Sequence, residues 1–137
     1  MNTTAPSRRP AGRIVVALLF VALSLSAWQQ VFDDVLNASN EPLAITAMQT
    51  LIGALAALTS WGAWIGARWS AWLAAAYGIA TAGMLLSLGP LLALPAEARG
   101  GLLFGAAVVL VITLPCAWYL RRTTRPAPTE ADAAPVE

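Results

Sequence analysis

Four stretches of the chain, residues 14–32, 43–65, 71–88 and 102–120, contain no charged residue. Each has roughly 18–23 residues. At ~1.5 Å of rise per residue, a helix of that length crosses the ~30 Å hydrocarbon core of a bilayer. In hydrocarbon every backbone N–H and C=O must be paired within its own segment, so such runs are expected to be helical. A helix on the surface of a soluble domain would show a polar face at a 3.6-residue period. Here Leu, Val, Ile and Ala surround each helix instead. Charged residues are 11% of the chain and hydrophobic ones 58%, against about a quarter charged in ordinary soluble domains. The sequence therefore predicts an all-α membrane protein, an up-down four-transmembrane-helix bundle occupying residues 13–122.

Arginine is the only basic residue, and its placement predicts orientation. Arg8, Arg9 and Arg13 precede the first span, Arg68 separates the second and third, and Arg121, Arg122 and Arg125 follow the fourth. Only Arg99 falls in the other set of connections. Because positive charge is retained inside, both termini and the 66–70 turn are expected in the cytoplasm of a bacterial cytoplasmic (inner) membrane. The 33–42 connection, with Asp33, Asp34 and Glu41, and the 89–101 connection are expected outside. The net charge of +1 gives no case for nucleic-acid binding. The basic clusters lie beside spans, where the lipid bilayer itself is the expected partner.

The first span has a second reading. A basic leader, an apolar core from Ile14 and a small-x-small site at 24–26 together make the layout of a secretory signal peptide. The apolar run continues through Ala27, Trp28, Val31 and Phe32, which favours an uncleaved helix. Residues 1–12 and 123–137 are small, polar and proline-containing. They cannot bury enough apolar surface to offset their ordering entropy, and are expected to be disordered cytoplasmic tails.

Helices in lipid pack through small residues, since apolar side chains gain little by leaving an apolar solvent. Gly62 and Gly66 form one GxxxG pair and Gly101 and Gly105 another. Ala71, Ala75, Gly78, Ala82 and Gly89 make a stripe on the third helix. Thr46, Gln49, Gly53, Ala57 and Ser60 make one on the second. These stripes are expected to form intramolecular seams. Pro115 lacks an N–H and clashes with the Val111 carbonyl, so a kink is expected there, with Thr113 available to the freed backbone. Trp61, Trp64, Trp69, Trp72, Trp118 and Tyr119 fall at the expected cytoplasmic ends of helices, and Trp28 and Phe32 at the outer end. That is the pattern of interfacial aromatic belts.

The chemistry available is sparse. There is no histidine, which removes imidazole ligation of metals and haem. Cys116 is alone and expected to be a small buried apolar side chain. No ionisable group lies in the middle of a span, where proton-coupled carriers place one. In size and helix count the chain resembles the small multidrug resistance exporters, which depend on a glutamate in the first helix. Residues 14–27 hold no acid, so that likeness is confined to architecture, as is a similarity in length and layout to DoxX-like membrane proteins. No catalytic residue, metal site or cofactor is expected.

One polar constellation remains. Ser26, Gln29, Gln30 and Asp33 recur toward the outer end of the first helix. Glu41 precedes the second, with Thr46, Gln49 and Thr50 a turn or two below. Gln49 is six residues into its span, about 9 Å below the outer boundary. A buried amide there needs a partner, so it is expected to meet the 26–30 segment directly or through water. The function expected first is that of a non-catalytic accessory or assembly subunit, docking helices and outer loop on other membrane subunits. The alternative is a small transporter or channel for a neutral solute or lipid, acting as a homo-oligomer.

Overall fold

The computed structural model describes residues 11–36 and 43–124. It is all-helical, with four helices: α1 (Ala11–Leu36), α2 (Leu43–Ile65), α3 (Ser70–Leu91) and α4 (Ala96–Thr123). Each is long and apolar enough to span a membrane. Only 11–33% of the most apolar stretch of each helix is buried within the protein, so the greater part of every helix presents Leu, Val, Ile, Phe and Trp outward. Water around that surface would oppose the fold, whereas hydrocarbon tolerates it. Ala11, Gly12 and Thr123, assigned to the tails by composition, are helical. Residues 1–10 and 125–137 of the expected tails, and Glu41, lie outside the described residues.

The packing follows chain order, α1 on α2, α2 on α3 and α3 on α4. Between α1 and α2 two serines reach across. Ser24 Oγ donates to the Gly53 carbonyl at 3.1 Å, and Ser60 Oγ donates to the Ala17 carbonyl at 2.9 Å. Later residues of α1 thus meet earlier residues of α2. The same reversed order joins α3 to α4, where Gly78 faces Thr113, Leu85 faces Gly105, and Gly89 faces Arg99 and Leu102. α4 approaches α1 at one end, where Arg13 Nη2 donates to the Thr123 carbonyl and the Tyr119 ring lies over Gly12. That end also carries Arg68, Arg121 and Arg122, and is called here the arginine end. Asp33, Asp34, Glu97 and Arg99 sit at the opposite, acidic end.

The two described turns stop their helices by the same device. At the end of α2, Ala67 N–H donates to the Gly62 carbonyl and Gly66 N–H to the Ala63 carbonyl, at 2.8 and 3.3 Å. This is a Schellman motif with Gly66 in the left-handed region at φ 74°. The Gly62–Gly66 pair is therefore a helix stop, with Gly62 under Trp69 and Ser70 of the following turn, and not a seam between long helices. At the end of α3 the same bonds run from Leu94 to Gly89 and from Ala93 to Pro90. Here the left-handed position is taken by Ala93, at φ 47°. Because α3 runs through Pro90 and α4 starts at Ala96, this connection shrinks to residues 92–95. The expected 89–101 loop is mostly helix.

Of the expected packing residues, Gly53, Gly62, Gly78 and Ala82 are buried, and Gly105 rests on Leu85. Gly101 is exposed with open space around it, so of the second GxxxG pair only Gly105 lies at a seam within the chain. On α2 the buried line is Ile45, Ile52, Ala56, Thr59 and Ala63, with Gly53 and Ser60 beside it. Ala57, expected inside, is exposed, so the true face is rotated by about one position, ~100° on a 3.6-residue helix. α4 continues as one helix through Pro115. The Thr113 hydroxyl donates at 2.8 Å to the Val109 carbonyl, not to the Val111 carbonyl that Pro115 leaves free. Cys116 is half-buried against the core.

Candidate functional site

The interior divides at an aromatic pair. Phe20 of α1 and Tyr77 of α3 meet edge to face, ring centroids 5.3 Å apart and planes at 77°. Toward the arginine end the interior is closed by Val16, Ala17, Ala63, Ala71, Ala74, Ala117 and Leu120. Alanines on all four helices let the backbones approach closely, and Phe20 and Leu120, both at 0% exposure, fill what is left. Toward the acidic end the helices line a half-open cavity of about 300 Å³.

The cavity is lined by α1, α2 and α3. Its polar groups come from Ser26 and Gln30 of α1, Gln49 of α2, and Tyr77 and Thr81 of α3. Leu23, Ile52, Met84, Leu85 and Leu88 supply its apolar wall. Helix geometry accounts for the grouping. The Ser24–Gly53 and Ser60–Ala17 bonds set the register of α1 on α2, and extending it puts Gln49 level with Trp28, between Ser26 and Gln30. Tyr77, Thr81, Met84 and Leu88 recur every three or four residues, which places them on one face of α3.

Gln49 Oε1 is buried and accepts no hydrogen bond from the protein. Thr81 Oγ1 is buried too, and the Tyr77 hydroxyl approaches it without the geometry of a full hydrogen bond. A buried acceptor left unpaired costs ~1–3 kcal/mol. It is therefore a place where water or a bound donor is favoured. No charged side chain lines the cavity, which makes it suited to neutral groups. No α4 residue lines it either, since along this half α4 lies against α3.

The sequence-derived patch is thus partly assembled. Ser26, Gln30 and Gln49 line the same cavity, with no direct hydrogen bond to Gln49 Oε1. Gln29 and Asp33 are exposed and do not line it, and Thr46 is half-buried outside it. Tyr77 and Thr81 were missed. Two hydroxyls four residues apart in an apolar helix are the only signal that could have pointed to them.

Trp28 is half-buried, its indole against Gly53, and Phe32 packs beside it at 6.3 Å. Trp61, Trp64, Trp69, Trp72 and Trp118 are exposed near the arginine end. Among the described residues no group of three His, Cys, Asp or Glu side chains is placed to hold a metal ion. Comparison of the chain with protein-family models, curated proteins and solved structures gave no match.

Proposed function

We propose that this chain is a non-catalytic, four-span up-down bundle of the bacterial cytoplasmic membrane, with both termini inside. We further propose that it binds a small neutral solute, or the uncharged head of a lipid, in the outer half. The reversed pairing of successive helices supports the up-down arrangement. Arginines gathered at one end support the orientation. The observation that supports the binding role is Gln49, whose side chain lines the cavity and whose buried carbonyl oxygen has no partner. Tyr77 lines the cavity and packs on Phe20 of the alanine-rich core beyond it, which suits the cavity to holding a ligand rather than passing it through.

Gln49→Leu tests this role. A structural amide would lose its bond and about 1 kcal/mol on substitution. An amide reserved for a ligand loses no bond, so unliganded stability in detergent should stay level or rise. Glycerol, urea and monoacylglycerol are probes of the neutral donor chemistry. At least one should raise the melting temperature of the native protein in a saturable manner, and the effect should vanish in Gln49→Leu. A destabilised variant, or no saturable shift with any probe, would count against binding.

The accessory-subunit role is the second reading, favoured by α4. Its most apolar stretch is only 11% buried, and Leu103, Phe104 and Val111 stand outward from it. A helix of a larger complex would find room there. A stoichiometric partner recovered in mild detergent would favour this reading. A lone species in several detergents would favour the first.

A further inference from the structure

At the arginine end a second groove of about 190 Å³ runs between α3 and α4. Its floor is Ala71, Ala75 and Ala117, and its rim is Trp72, Trp118 and Arg121. Both indoles are largely exposed, at 72% and 57%. They stand on either side of a strip of alanines too small to fill the space between them. The Arg122 guanidinium lies over the Trp118 ring, 3.7 Å from its centroid. The groove is therefore apolar in its depth and positively charged at its mouth.

The charge at that mouth is uncompensated among the described residues. Asp33, Asp34 and Glu97 all lie at the other end of the helices, and the first turn of α3 holds no acid. α3 begins beside the groove, so the positive end of its dipole adds to Arg68, Arg121 and Arg122. An anion at Arg121 meets several favourable partners and no described carboxylate. A free phosphate would leave the alanine floor and the indole walls unused. A zwitterionic head group would bring its own cation against the arginines. An anionic head group with an acyl chain uses both the charge and the floor.

We propose that the groove binds one anionic phospholipid of the cytoplasmic leaflet. Its phosphate lies at Arg121, and its chain lies along Ala71, Ala75 and Ala117 between Trp72 and Trp118. The proposal rests on the membrane placement above but not on the outer cavity.

The test is native mass spectrometry of the full chain, released from detergent with phosphatidylglycerol or phosphatidylcholine of identical acyl chains. One phosphatidylglycerol should be retained in preference to phosphatidylcholine. Arg121→Gln, at an exposed position, should weaken that retention by about fivefold, the scale of one basic residue near an anionic surface. Arg121→Lys should restore most of it. Ala75→Leu, which fills the groove and leaves every charge in place, should abolish it without lowering the melting temperature. Equal retention of the two lipids overturns the proposal, as does selectivity indifferent to Arg121→Gln. Phosphatidylglycerol binding that appears only in a chain ending at Thr124 overturns it in favour of the chain's own Glu130, Asp132 and Glu137 as occupants. A dimer that excludes lipid overturns it in favour of a second copy. Extraction of the protein from membranes by alkaline carbonate would instead defeat the membrane placement. Integral behaviour without lipid selectivity defeats this inference alone.

Discussion

Gly78→Leu is expected to leave little folded protein in detergent, because Thr113 of α4 packs directly onto the Gly78 backbone of α3. A methyl group added to Gly78 would meet the Thr113 side chain, whose Cβ lies 2.9 Å from where the new carbon would be. Thr113 cannot swing aside. It is 2% exposed, its hydroxyl is committed to the Val109 carbonyl, and its Cβ is fixed to the helix. The helices themselves would have to separate, and α4 has few other contacts to keep it in place. Overpacking of this kind costs about 1–3 kcal/mol for modest insertions and more for larger ones. Gly78→Ala should fall in that range, and Gly78→Leu beyond it. Thr113→Gly, introduced into Gly78→Ala, should recover part of the loss by removing the opposing Cβ. Unchanged melting of Gly78→Leu would mean that the α3–α4 seam is not at this position.

Arg13→Ala should have the next largest effect. Arg13 is half-buried at the arginine end, and its Nη2 donates to the Thr123 carbonyl in the last turn of α4. Its Nη1 occupies the space where a side chain on residue 66 would begin, which is one more reason for glycine at that turn. One guanidinium thus joins α1, the α2–α3 turn and the negative end of the α4 dipole. A hydrogen bond with a charged donor contributes about 1.5–3 kcal/mol. The buried Nε has no partner, which offsets part of that gain. A loss of about 1–2 kcal/mol is therefore expected on denaturant titration in detergent. Arg13→Lys should recover less than half, because an ammonium cannot serve both positions. Arg13→Ala with wild-type stability would contradict this role.

The parts of the fold legible in the sequence are the four long apolar helices themselves. Length without charge marks each of the four helices. Small residues mark the α3 seam, where Gly78 and Ala82 are buried as expected. Helix ends were less legible. Gly62–Gly66 has the spacing of a packing motif, yet Gly66 terminates α2, because a left-handed residue is needed before the chain can turn into α3. Proline at position 90 suggested a loop, but a last helical turn followed by Ala93 in the left-handed position accommodates it. The α2 face was misjudged by one position because alanines surround that helix. With Ala54, Ala56 and Ala57 adjacent, composition does not distinguish the inner side.

The site was half legible for a related reason. Gln30 and Gln49 stand out, since amides are conspicuous in an apolar run and cannot face lipid without cost. Tyr77 and Thr81 do not, because lone hydroxyls in such helices commonly bond their own backbone, as Thr50, Thr59 and Thr113 do here. Only the three-dimensional register of α1, α2 and α3 brings these four side chains, with Ser26, around one space. The boundary formed by Phe20 and Tyr77 likewise depends on a contact between helices not consecutive in sequence, which no local pattern encodes.

An outward-facing wet cavity in an otherwise dry bundle is tested most directly by thiol accessibility in intact cells, with Cys116 replaced by alanine. Thr81→Cys should react with a small membrane-impermeant methanethiosulfonate added outside. Ala74→Cys, on the same helix but beyond the Phe20–Tyr77 pair, should not. Ala96→Cys should mark the outer side, and Thr124→Cys should react only after the cells are opened. Thr81→Cys that stays unreactive while Ala96→Cys is labelled would contradict the cavity, and labelling of Thr124→Cys from outside would contradict its orientation.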